Sequence, residues 1–110
     1  MHLPTNSLGQ PIGSPLPGWT ARPRPPCTPL QGRLCRLEPI DVAKHAAALH
    51  EAHALDREGR NWTYLPYGPF ASAADYTRWV EWAAAQEDPQ FFAIVDPAGR
   101  PVGAASYLRI

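Results

Sequence analysis

The segment of this chain best equipped for chemistry is NWTYLPYGPF, Asn61 to Phe70, where Trp62, Tyr64, Tyr67 and Phe70 crowd among two prolines and a glycine. Rings at that density can line an apolar pocket whose tyrosine hydroxyls give polar handles, or they can fill a core between short helices. The residues alone leave both uses open. Just upstream, His50, Glu51, Ala52 and His53 fall one residue short of the HExxH zinc signature. That signature needs its histidines at i and i+4 so that both rings face one metal, and a third ligand is not evident here. The reading is no metal site, with the histidines facing solvent or capping a helix end.

No serine, cysteine or lysine stands in a recognisable nucleophile context, and neither a GxSxG elbow nor a P-loop occurs. The carboxylate pairs Asp56/Glu58 and Glu87/Asp88 read as solvated surface at a charged turn and a helix end. No catalytic acid or base is assigned. Cys27 and Cys35 lack the spacing and the companions of a zinc site and read as reduced thiols. The sequon Asn61, Trp62, Thr63 is idle without secretion.

These residues need elements to position them. The first thirty residues hold more than half of the 14 prolines and show neither helical nor strand period, which predicts an extended arm. Its Pro23 to Pro26 PxxP peptide lacks the flanking basic residue of an SH3 ligand. From Arg33 to Ile40 the pattern is a short strand. Asp41 then supplies an N-cap, and Val42, Ala46 and Leu49 follow at helical spacing to about Leu55. After the aromatic loop, Ser72 and Asp75 form a capping box for a helix with Tyr76, Trp79, Val80 and Ala83 on one face, running to about Gln86. Asp96, Pro97, Ala98 and Gly99 make a type I turn between strands at Phe91 to Val95 and about Val102 to Ile110, with Gly103 marking a bulge or a close backbone approach. The expected fold is α+β, ordered strand, helix, helix, strand, strand, with a mostly antiparallel sheet behind a Pro-rich arm.

The chain has 110 residues with 10 basic and 10 acidic side chains, which suits one small domain and gives no reason to expect nucleic acid or an anionic membrane as partner. Every charged residue before Glu38 is an arginine, and acids outnumber bases thereafter, so the arm reads as a soluble tail on a more acidic body. No apolar run approaches the ~20 residues of a membrane span, and the start lacks the pattern of a signal peptide. A cytoplasmic protein is expected.

This order of elements resembles the N-terminal half of the GNAT-family N-acetyltransferases, and most nearly the branch similar to the ribosomal-protein acetyltransferases RimJ and RimL. The likeness is carried by Leu30 to Asp41, Asn61 to Ser72 and Phe91 to Ile110. It implies residues 1–30 as arm and 31–110 as the N-terminal part of an acetyltransferase domain. It also implies acetyl-CoA as co-substrate and a primary amine as acceptor. The helices and aromatic loop would then wall the acceptor side, with Asn61, Trp62, Tyr64, Tyr67 and Phe70 as substrate-binding residues and Asn61 as a hydrogen-bonding partner.

That family holds the pyrophosphate of its cofactor on a [QR]xxGx[GA] loop opening a helix. Arg100 to Ala105 matches the string but reads as strand, and Gln10 to Pro15 matches it in part within the arm, so no cofactor-binding residue is assigned. By the family's order, the splayed strands and the phosphate loop follow Ile110. The expectation is a chain that binds acetyl-CoA negligibly and is inactive alone, whatever its family. A non-catalytic interaction module, or a split-enzyme half that associates through the open terminal strand, is the alternative.

Overall fold

A computed structural model describes residues 2–110. Its sheet is an antiparallel meander of four strands in the order β1 (Leu30–Gln31), β2 (Arg36–Pro39), β3 (Gln90–Val95) and β4 (Pro101–Tyr107). Two helical segments are inserted between β2 and β3. The first opens as a π-helical turn, Val42–Ala46, and continues as α1, Ala47–Ala54. The second is α2, Ala73–Ala84. Each begins where its cap stands in the sequence: the Asp41 carboxylate accepts from the Lys44 amide and the Ser72 hydroxyl from the Asp75 amide.

The core lies between the helices and the sheet. Leu49 from α1, Tyr76, Val80 and Ala83 from α2, Phe91 and Ala93 from β3, and Ile40 just past β2 are buried in one cluster. Tyr76, Val80 and Ala83 recur at i, i+4 and i+7, so one stripe of α2 faces inward. β3 is the central strand: five of its six residues are buried, because β2 and β4 flank it and helices cover it. Each large apolar side chain so buried contributes roughly 1.5–3 kcal/mol.

Three boundaries differ from the sequence expectation. β1 adds a strand that two residues could not announce, pairing Leu30 with Leu37, and it spans the 30/31 boundary between arm and domain. β2 begins at Arg36 rather than Arg33. β4 ends at Tyr107 instead of running to Ile110. There the chain turns through Arg109 at φ +57°, and the Asp88 carboxylate accepts from the Arg109 and Ile110 amides at 2.9 and 3.0 Å. Asp88 is therefore an anchor for the last residues as well as a helix-end acid.

The hairpin forms as its turn chemistry requires, with the Gly99 amide donating to the Asp96 carbonyl and Gly99 at φ +83°. The register slips by one residue beside Gly103: Ile94 faces Gly103 while Val95 faces Pro101, so Val102 is the extra residue of a bulge. In the arm, the Asn6 side chain organises a local turn by accepting from the Leu8 and Gln10 amides. The remaining described residues of the arm are mostly exposed and form no helix.

Candidate functional site: two cavities divided by His53 and Trp62

The aromatic loop is held from its start. Gly59, at φ +68°, leads into a 3-10 turn over Arg60–Trp62, and the Asp56 carboxylate accepts from the Arg60 and Asn61 amides at 3.1 and 2.9 Å. Asp56 is thus a cap for this turn, which corrects its reading as solvated surface. The turn aims Trp62 back across the loop onto Gly68. Here glycine is required twice over: φ is +74°, and a Cβ would stand 2.5 Å from Cδ2 of the indole.

From Trp62 the rings form a continuous stack into the core. Trp62 meets Phe70 at 5.4 Å and Tyr67 at 6.2 Å between centroids. Phe70 packs on Tyr76, Tyr67 on Trp79, and Trp79 on Phe91 at 5.1, 4.9 and 5.2 Å. Most of these contacts are edge-to-face or tilted, as aromatic quadrupoles favour. The loop therefore packs against the core and shapes open space at the same time.

Two cavities result. The larger, about 460 Å³, lies between the end of α1, the loop and β4, and Asn61, Trp62, Tyr67, Trp79 and Phe91 are among its walls. The smaller, about 330 Å³, lies between the turn after α1 and the start of α2, with Phe70, Tyr76 and His50 in its lining. His53 and Trp62 belong to both and form the septum. Of the five residues expected at the site, Asn61, Trp62 and Tyr67 meet in the larger cavity and Phe70 stands in the smaller. Tyr64 is 96 % exposed and lines neither.

The histidines were expected to face solvent or to cap a helix end, and His45 bonds the amide of the N-cap residue Asp41 while His53 packs among aromatic rings. His45 is buried, with Nδ1 accepting from the Asp41 amide at 2.9 Å and Nε2 2.8 Å from a Glu38 oxygen. An Nδ1 that accepts leaves the proton on Nε2, which donates to Glu38. That bond first, and the Arg36 guanidinium second, hold the Glu38 carboxyl below its ordinary value of 4.5. His53 sits with its ring edge-on to Trp62 and Tyr76, and its Nε2 is 3.2 Å from the Tyr76 hydroxyl. Burial, then the neighbouring His50, push its pKa below 6.5, against a smaller opposing pull from Asp56. Burial pushes the Tyr67 and Tyr76 hydroxyls upward. Both therefore stay protonated at neutral pH.

Sequence reasoning missed His53, Trp79 and Phe91 because they come from three separate elements. The available signal was the i, i+3 spacing of His50 and His53, which puts both on one helical face beside Tyr76. Among the described residues no group of three or more His, Cys, Asp or Glu side chains is arranged to hold a metal ion. Nor is any helix among them long and apolar enough to cross a membrane. Pro101 to Ala105, the bulk of the better phosphate-loop match, lies in β4.

Solved structures share this fold. The chain superimposes on a GCN5-related N-acetyltransferase from Brucella melitensis with a TM-score of 0.78 and 35 % identity, covering 86 % of this chain and 43 % of that one. Its fold is a partial GNAT fold. A probable acetyltransferase of the GNAT family from Chromobacterium violaceum gives a TM-score of 0.71 at 28 % identity, over 91 % of this chain and 50 % of that one. The chain thus spans about half the length of these GNAT-family neighbours. No protein-family model and no curated protein matches it.

Proposed function

We propose that the chain is the N-terminal, acceptor-side part of a cytoplasmic GNAT-family N-acetyltransferase, similar to RimJ and RimL, that transfers an acetyl group from acetyl-CoA to a primary amine. The observation that carries this reading is the 35 % identity to the Brucella protein, spread over 86 % of this chain but 43 % of its relative. The larger cavity is the proposed acceptor site, with Trp62 and Tyr67 as walls and the Asn61 amide as a polar contact. Phe70 supports Trp62 from behind, and Tyr64 stays outside the pocket.

Acetyl transfer needs a free amine beside the thioester, donors for the developing oxyanion and an acid for the departing thiolate. The cavity offers walls and a polar amide for the amine, whereas among the described residues no glycine-rich loop opens a helix to hold pyrophosphate. The proposal is therefore an acceptor half that does not turn over alone. Its test is co-expression with the C-terminal half of the Brucella relative. Acetylation of a primary amine by the pair, lost in Trp62→Ala, is expected; a soluble pair without activity would count against it.

β4 supports a second reading, association through strand addition. It is hydrogen-bonded on one side only, and Val102 and Tyr107 are exposed on an edge without a charged residue from Pro101 to Tyr107. Light scattering showing a monomer at all concentrations would remove this alternative.

A further inference from the structure

We propose that His53 receives the amine of an acceptor bound in the larger cavity, its Nδ1 taking first a hydrogen bond and then a proton from the ammonium group. The inference rests on the acetyltransferase reading above and names the group that would free the nucleophile. Among the residues lining the larger cavity, His53 is the one with an imidazole that can accept a proton; the others are apolar, or carry an amide, an indole, a hydroxyl or a phenol. A primary ammonium has no lone pair, so it must lose a proton before it can attack.

The geometry suits that transfer. Nε2 is occupied by the Tyr76 hydroxyl at 3.2 Å, while Nδ1 has no hydrogen-bond partner among the described residues and is not a buried atom. The N–H bond of the ammonium breaks, the Nδ1–H bond forms, and the positive charge moves to the imidazole as the amine regains its lone pair. The Nε2–H then donates to the Tyr76 oxygen, which stabilises the imidazolium. Because His53 also lines the smaller cavity, the proton has a second face from which to reach solvent.

The charged and titratable groups around the ring are His50 on α1, Asp56, Arg57 and Glu58 after it, and Tyr76 on α2; Tyr67 reaches the larger cavity from the loop, and β4 brings none. Burial and His50 keep the ring unprotonated at neutral pH, as a proton acceptor requires.

The test uses nitrogen-15 long-range correlation spectra of the whole chain, titrated with benzylamine and, as a neutral control, benzyl alcohol. The free protein should show the tautomer with its proton on Nε2. Benzylamine should move the His53 Nδ1 signal together with the Trp62 indole, whereas benzyl alcohol should move Trp62 alone. A free-state proton on Nδ1 overturns the proposal. So does benzylamine that shifts Trp62 and leaves His53 unchanged, an outcome that keeps the acceptor cavity. If neither residue responds, the cavity reading fails and His53 fails with it. His53→Asn should weaken benzylamine about tenfold, the scale of one hydrogen bond to a charged group; unchanged affinity would overturn the role, and if the variant does not fold, the spectra of the natural chain decide.

Discussion

Gly68→Ala should be the most damaging single-atom-scale change in the site, and its cost divides into two measurable parts. At φ +74° an alanine is forced into left-handed backbone, which costs roughly 1–2 kcal/mol for an L-residue. Its Cβ would also stand 2.5 Å from Cδ2 and 2.6 Å from Cε3 of Trp62, so the indole must move. Displacing a packed ring adds about 1–3 kcal/mol. Gly99→Ala supplies the control, because φ is +83° there but nothing lies within 4 Å of the new carbon. Gly99→Ala therefore reports the backbone part alone, and the difference between the variants is the price of moving Trp62. At roughly 4–8 °C per kcal/mol for a domain of this size, the hairpin variant should lose several degrees and Gly68→Ala at least twice as much. Thermal melts followed by circular dichroism give the stabilities, and tryptophan fluorescence reports the indole. Equal losses in the two variants would refute the claim that Trp62 is packed on Gly68, and with it the shape of both cavities.

Glu38 predicts a pH dependence. Its carboxyl is held below 4.5 by His45 first and Arg36 second, so the stability it contributes is present above the ordinary carboxylate value and is lost as pH falls through the depressed one. Melts from pH 3 to 6 should show a steeper acid limb in the natural chain than in Glu38→Gln; parallel limbs would contradict the pairing. Asp88→Ala should free the Arg109 and Ile110 amides, raising their hydrogen exchange about tenfold with little change in the global melt. Unchanged exchange would show that the chain end is held by something else.

Much of the fold was legible because it rests on local chemistry. Asp41 and Ser72 cap where their side chains reach backbone amides three residues on, and Asp96 to Gly99 turn as their types dictate. β1 was illegible because its pairing with β2 is a tertiary event involving two exposed residues inside a proline-rich stretch. The end of β4 was misplaced because Leu108 and Ile110 continue the apolar look of a strand, while the carboxylate that turns the chain lies 21 residues earlier.

The site divides along the same line. Trp62, Tyr67 and Phe70 could be read from one crowded loop, and Asn61 from its place beside them. Tyr64 belongs to the same cluster in sequence, yet the 3-10 turn at Arg60–Trp62 leaves it in solvent. His53 read as a solvent-facing or helix-capping histidine because Tyr76, its partner, is 23 residues away on another helix. Periodicity shows that a helical face exists, and only packing decides what covers it.

The central claim is that these residues supply the acceptor side of an acetyltransferase while the grip on acetyl-CoA lies elsewhere. Isothermal titration of acetyl-CoA into the chain tests it most directly. The account predicts no saturable heat, because among the described residues no glycine-rich loop opens a helix to hold the pyrophosphate. Stoichiometric binding in the micromolar range would contradict it.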